Sequence, residues 1–305
     1  MTNSLPVGRF APSPTGRMHL GNVWAALLSW LSCKSRGGKW LLRIEDIDPQ
    51  RSRAEYADLI RDDLNWLGLR WDGECTQSER YALYEAALQR LTAQGCTCGV
   101  FRSRQERLAV SAPQATGTAV PTDMPAARKP ATGLLLPDET LAFYDGHYGE
   151  QRFPLREGGD MILRRADGAW AYQLAVVVDD ALTGVTEVVR GRDLLPSVPR
   201  QLYLYKLLGY APPAFLHIPL LCNEAGQRLS KRDKALDMGE LRQHHTAPEI
   251  IGHLAFLSGL QAEEQPATAE QLLPIFDWGL VPKEDITPFG SPTGGRRPTD
   301  VIQGM

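Results

Sequence analysis

Two stretches of this chain carry the residue types that phosphate and carboxylate chemistry needs. The first is Arg9-Phe-Ala-Pro-Ser13-Pro-Thr-Gly16-Arg-Met-His19-Leu-Gly21-Asn22. It reads as a strand that delivers a proline-stiffened loop to the start of a helix. Free backbone N–H groups there, at the positive end of the helix dipole, form a ready anion site. His19 can donate to a phosphate oxygen, and Gly21 lets a flat ring approach the backbone closely. The second stretch is Gln227-Arg228-Leu229-Ser230-Lys231-Arg232-Asp233-Lys234. Its cations, with a serine among them, suit a loop that clamps a polyphosphate. Read alone, the first is equally a βα turn with an incidental histidine, and the second a solvated basic face.

The two together are far more specific. His19-Leu20-Gly21-Asn22 behind Ala11-Pro-Ser-Pro-Thr-Gly16, with Arg228–Arg232 far downstream, closely resembles the class I aminoacyl-tRNA synthetases. In that class the corresponding signatures are His-Ile-Gly-His and Lys-Met-Ser-Lys-Ser. Three further runs narrow the resemblance to the glutamyl branch: Arg9 to Gly16, Leu42-Arg43-Ile44-Glu45-Asp46-Ile47-Asp48, and Val189-Arg190-Gly191-Arg192-Asp193-Leu194-Leu195. It covers roughly Val7 to Asp237. Little chain follows Arg232, too little for the helical anticodon-reading region of a full glutamyl-tRNA synthetase. The chain therefore resembles the short glutamyl-queuosine tRNA(Asp) synthetase family.

That resemblance implies activation of L-glutamate by ATP with Mg2+, without tRNA. Transfer to the cyclopentenediol of queuosine in the anticodon loop of tRNA(Asp) would follow. It implies glutamate contacts from Arg9, Phe10, Ala11, Pro12, Ser13, Glu45, Tyr172 and Arg190. It implies ATP contacts from His19, Gly21, Asn22, Arg228, Ser230 and Lys231, with His19 and Lys231 as the catalytic pair. Arginine forks suit carboxylates, and Glu45 suits the ammonium. In-line attack of a carboxylate on the α-phosphorus needs positioning and charge neutralisation more than a general base, and none is assigned. Arg102, Arg104, Arg107, Arg228, Arg232 and Lys234 are the expected tRNA phosphate contacts. Two rivals remain: a small glutamyl-tRNA synthetase charging a 3′ end, and a non-catalytic tRNA-binding paralogue.

No metal ligand is assigned. Cys96-Thr97-Cys98 resembles the start of a zinc site in this family, and Tyr144-Asp-Gly-His147-Tyr148 its continuation. Tyr148, however, stands where the last thiolate belongs, and three good ligands with a neutral phenol do not make a closed site. Two reduced cysteines in a hairpin are expected instead.

These residues need an α/β frame. Leu5–Phe10 and Trp40–Glu45 read as strands around a helix marked by Leu20, Val23, Trp24, Leu27, Leu28 and Leu31, the βαβ pattern of a parallel sheet. Further helices are marked by Tyr56 to Leu67, Tyr81 to Leu91 and Leu202 to Leu208. Met161–Arg164, Ala171–Val178, Glu187–Arg190 and His217–Cys222 read as strands, which places Arg9, Glu45 and Arg190 at strand ends. Pro248–Leu257 and Ala269–Leu280 read as helical. Ser111–Pro137, dense in Ala, Pro and Thr, reads as an insertion loop without periodicity.

The expected organisation is a Rossmann-type core in two halves, 1–95 and 161–237. An acceptor-binding insertion at 96–160, a helical region at 238–286 and an unfolded tail at 287–305 complete it. The 305 residues carry a net charge of −3, which excludes a globally basic nucleic-acid coat but not a local patch. No apolar run approaches the length of a membrane span, and no signal peptide opens the chain. Five scattered cysteines argue for a reducing compartment. A cytoplasmic, monomeric enzyme is expected.

Overall fold

The computed structural model describes residues 5–100, 130–156, 159, 161–223, 226–229 and 236–288. The first half runs β1 (Val7–Phe10), α1 (Leu20–Lys34), β2 (Lys39–Ile44), α2 (Ala54–Trp66), β3 (Gly73–Thr76) and α3 (Tyr81–Ala93). Next come β4 (Thr97–Val100), β5 (Ala131–Leu134), the hairpin β6 (Thr140–Asp145) and β7 (Gly149–Pro154), and β8 (Met161–Arg164). The chain continues with α4 (Tyr172–Leu182), β9 (Glu187–Gly191), α5 (Val198–Leu208) and β10 (Ala214–Ile218). Short helices α6 (Met238–His244), α7 (Ala247–Leu257) and α8 (Ala269–Leu272) end the described chain.

β1, β2 and β3 pair in parallel in the order β3-β2-β1. A second sheet has the order β9-β10-β6-β7, parallel except for the last pair. The two meet at β1 and β9: Thr186 N–H donates to Val7 O and Val7 N–H to the Thr186 hydroxyl, each at 2.9 Å. Strand order thus reverses between β1 and β9, and open α/β sheets bind ligands in that crevice, at the carboxyl ends. β4, β5 and β8 form a separate antiparallel sheet.

Alternation along each strand sorts residues between two buried layers. Phe10, Trp40, Leu42, Ile44, Val189 and Leu216 face α1 and the C-terminal helices. Val7, Leu41, Val188 and Phe215 face α3, α4 and α5. Counting on by two along those last four strands reaches Arg9, Arg43 and Glu45, Arg190, and His217. One apolar face therefore turns charged at its carboxyl end. α1 stops at Gly37 (φ 70°), and at Gly38 a Cβ would lie 2.3 Å from Pro6 O, so the chain returns into β2 only because that side chain is absent.

Several expectations need correction. Ala171–Val178 is not a strand: Tyr172–Leu182 is helix α4. Leu174–Val178 is buried throughout, so no period shows in the sequence, and its valines bias the reading toward a strand. Within the expected loop Ser111–Pro137, Ala131–Leu134 is strand β5, while 111–129 lies outside the described residues. Ala269–Leu280 is helical only to Leu272, then makes one 3-10 turn over Leu273–Ile275, where Pro274 lacks the N–H a continuing helix needs. The strand expected at His217–Cys222 runs from Ala214 and ends before Pro219. Strand β3 and the β6–β7 hairpin were not anticipated. No described helix is long and apolar enough to cross a membrane.

Candidate active site

The charged cluster lies at the β1/β9 crevice and is buried. Asp180, from α4, takes Arg9 Nε at 3.2 Å and Arg43 Nη1 at 2.5 Å on one oxygen, Oδ1. Arg43 also donates to Glu45 Oε1 from Nε (3.3 Å) and Nη2 (3.1 Å). Arg9 Nη1 donates to Val189 O across the crevice at 3.3 Å. Burial works against the ionised form of Asp180, but Arg43 and Arg9 overcome it and hold its carboxyl below the usual range. Burial pushes Glu45 up, against the pull of Arg43 and Arg9. Behind them Asp179 receives Tyr84 Oη (2.7 Å), Gln77 Nε2 (2.8 Å) and Arg80 Nε (2.6 Å), which anchors this end of α4.

Arg190 differs. Its Nε donates to His217 Nε2 at 3.0 Å and its Nη2 to Gln201 Oε1 at 2.9 Å, and among the described residues no carboxylate pairs with it. Nη1 is buried with no hydrogen-bond partner. Burial lowers the Arg190 pKa from its ordinary value. Tyr172, half-buried at the first turn of α4, shares its electrostatic surroundings with Arg190, Glu45 and Arg9, and burial raises its pKa. The arrangement offers a buried cationic donor, a carboxylate and a phenol around one crevice, complementary to an amino acid with a second carboxylate.

The loop after β1 joins this cluster through its backbone, since Glu45 N–H donates to Pro12 O at 2.9 Å. The Phe10 side chain points to the opposite layer and stacks on Trp40, centroids 6.1 Å apart, so only its backbone is available to a ligand. Ala11 is partly exposed and Ser13 exposed beyond it.

His19 is the N-cap of α1 and is buried. Its backbone N–H donates to Asn22 Oδ1 at 3.1 Å, so Asn22 closes the helix start. The imidazole lies over Gly21, where a Cβ would stand 3.1 Å from the ring. Both flanks of segment 230–235 come to the same place. Leu229 packs toward Gly21, Asp237 pairs with His19 in a bridge, and Met238 N–H donates to Met18 O at 2.8 Å. Ser230, Lys231, Arg232 and Lys234, like Arg102, Arg104 and Arg107, lie outside the described residues. Arg228 is described, and it pairs with Asp193.

The residues that resemble the start and continuation of a zinc site do not come together. Tyr148 Oη donates to Lys283 O at 2.7 Å, and His147 Nε2 lies 3.1 Å from Pro282 O. Tyr144 is exposed, Cys98 belongs to the separate antiparallel sheet, and Cys96 directly precedes its strand β4. Among the described residues no three His, Cys, Asp or Glu side chains could share a metal ion. This donor set does not fit zinc.

Sequence reasoning missed Arg43, Asp180, His217 and Asp145. The i, i+2 spacing of Arg43 and Glu45 on a strand already puts both on one face. The acid pair Asp179-Asp180 directly after a fully apolar run was a second available signal.

Comparison with known proteins identifies the family. The model of the catalytic domain of class I tRNA synthetases (E and Q) matches residues 7–123 and 134–284. A Glutamyl-Q tRNA(Asp) synthetase of Symbiobacterium thermophilum is 47% identical, the match covering 92% of this chain and 94% of that one. One of Deinococcus radiodurans is 46% identical over 90% of this chain and 96% of its own. Among solved structures, a glutamate tRNA ligase of Elizabethkingia meningosepticum in complex with its amino acid superposes with a TM-score of 0.78 at 25% identity. The match covers 92% of this chain and 66% of that longer one. The chain belongs to the class I tRNA synthetases of the glutamate and glutamine type and, within them, to the Glutamyl-Q tRNA(Asp) synthetase family.

Proposed function

We propose that this enzyme activates L-glutamate with ATP and esterifies the cyclopentenediol of queuosine in tRNA(Asp). The observation that carries the amino-acid half is Arg190, a buried guanidinium with an unbonded Nη1 and, among the described residues, no carboxylate paired with it, at a crevice that also holds Glu45. A substrate carboxylate supplies the missing charge, and Glu45 meets the ammonium.

In the first step an oxygen of the glutamate α-carboxylate attacks the α-phosphorus of ATP, and the bond to the departing pyrophosphate breaks. In the second a queuosine hydroxyl attacks the activated carbonyl carbon, AMP leaves, and the hydroxyl proton passes to solvent. Mg2+ on the triphosphate supplies charge neutralisation. His19 at the N-terminus of α1 and Lys231 in the segment after Leu229 face the phosphates in this reading. Both flanks of that segment pack against the helix start, which supports the assignment. Lys231→Ala removes a charge facing the transition-state phosphates and slows ATP–pyrophosphate exchange by about two orders of magnitude or more. Exchange within threefold of wild type would remove Lys231 from the mechanism.

The reading has the enzyme act as a cytoplasmic monomer. Its tRNA phosphates meet Arg102, Arg104, Arg107, Arg232 and Lys234, with Arg228 already engaged by Asp193. The test incubates the enzyme with ATP, labelled glutamate and three tRNAs: tRNA(Asp) with queuosine, tRNA(Asp) with guanosine in its place, and tRNA(Glu). Label on the first alone is expected, together with pyrophosphate exchange in the absence of tRNA. Equal labelling of the guanosine form, or label at a 3′-terminal adenosine, overturns the reading in favour of ordinary charging.

A further inference from the structure

Arg190 is fixed before any ligand arrives. Besides its bonds from Nε to His217 and from Nη2 to Gln201, Phe215 lies 5.2 Å beneath the guanidinium. To accept from Arg190 at Nε2, His217 must carry its proton on Nδ1. There Asp145 Oδ2 lies 2.6 Å away to receive it. Asp145 is held in turn, because Oδ1 accepts the backbone N–H groups of His147 (3.0 Å), Tyr148 (2.9 Å) and His217 (3.3 Å). Neither His217 nor Asp145 has any exposed surface. An apolar pair would fill this corner with less desolvation, so a polar relay buried here points to a duty beyond packing.

We propose that Asp145 and His217 are positioning residues, which set the rotation of the Arg190 guanidinium so that Nη1 presents to a glutamate carboxylate. The inference rests on the reading of the crevice as a glutamate pocket. Asp145 fixes the His217 tautomer, the tautomer offers a lone pair to Nε, and that bond leaves Nη1 as the uncommitted donor. With the proton on Nε2 instead, two N–H groups would face each other and Arg190 would swing away. The ionisation of the histidine agrees. Burial, with Arg190 beside it, pushes His217 down to about 4, so the ring stays neutral at ordinary pH.

The test compares His217→Leu, which removes the acceptor, with His217→Gln, which restores one near the Nε2 position. In pyrophosphate exchange the leucine variant is expected to raise the glutamate KM about tenfold or more, with the ATP KM and kcat within about threefold of wild type. The glutamine variant recovers most of that loss. Equal rises in both KM values, or a glutamine variant no better than the leucine one, overturn the proposal. Nitrogen-15 NMR of the histidines provides a readout that needs no turnover. The expected spectrum has His217 protonated on Nδ1 and bare on Nε2, with an exchange-protected Arg190 Nε–H that disappears in His217→Leu. A proton on Nε2 overturns the lock whatever the substrate. Wild type without glutamate-dependent exchange would instead refute the glutamate reading.

Discussion

The crevice between β1 and β9 has two corners, and both hold buried arginines. In one, Arg9 and Arg43 share Asp180, and Arg43 also holds Glu45. In the other, Arg190 is surrounded by a neutral histidine, a glutamine and a carbonyl. The first corner balances its own charge and gives the crevice its shape. The second holds a cation with which no carboxylate pairs among the described residues, in a place where burial alone costs several kcal/mol. A site can hold that imbalance when a ligand brings the compensating charge. Arginine content therefore does not distinguish the corners; the presence of an internal carboxylate does.

Neutralising one arginine in each corner tests this difference most directly. Arg43→Met strands Glu45 and part of Asp180 without their partner. Removing one member of a buried pair costs about 3–5 kcal/mol. That corresponds to a loss in Tm on the order of 10 °C, read by calorimetry. Arg190→Met strands no carboxylate, and its Tm should stay within about 3 °C of wild type. Its kcat/KM for glutamate should nonetheless fall about 100-fold or more while the ATP KM holds. If Arg190→Met melted as early as Arg43→Met, the two corners would be alike and Arg190 merely structural.

The same contrast marks what could be read without coordinates. Arg9, Glu45 and Arg190 were legible because each ends an apolar run that reads as a strand, and strand ends meet at the crevice. Arg9 and Arg190, both expected to contact glutamate, have unlike partners: Arg190 bonds His217 and Gln201, whereas Arg9 holds Asp180. That pairing joins residues 171 positions apart and depends on the run Leu174–Val178 being helical. A run buried on every side shows no period, so its helix, and the acids at its end, stayed hidden. His217 looked like an ordinary strand residue because its partner Asp145 comes from the β6–β7 hairpin, whose Asp145-Gly146 turn signal was passed over.

Acidification separates the corners next. His217 titrates near 4 in the folded protein against an ordinary value of 6.5. A depressed folded pKa means the folded state takes up its proton later than the unfolded state does. The associated stability is complete above about 6.5 and is lost as pH falls through about 4, at no more than about 1.4 kcal/mol per pH unit. Asp180 is held below its ordinary 3.8, so its own contribution to the Arg9–Arg43 corner is lost only at lower pH. Tm measured from pH 7 to pH 3 should therefore begin to fall in the His217 range, and His217→Gln should flatten that first decline. An unchanged profile in the variant would assign the decline to other groups.

The smallest expected effect compares the amino-acid side of the crevice with the nucleotide side. Gly21 lies in the first turn of α1, where alanine is the better helix former by about 1 kcal/mol. Its space is bounded instead by the His19 ring, 3.1 Å from where a Cβ would stand. That is too close for both to keep their places, so the imidazole has to shift by a few tenths of an ångström. Gly21→Ala should leave Tm unchanged or slightly higher, because the helix gains what the contact loses. With His19 facing the phosphates as proposed, the displaced ring would meet them in a different position, and the ATP KM should rise about three- to tenfold. The glutamate KM should not move, since Arg190, Glu45 and their partners are untouched. A matching rise in both constants would mean that the helix start and the arginine corners respond as one unit, and the division between nucleotide and amino-acid subsites would have to be redrawn.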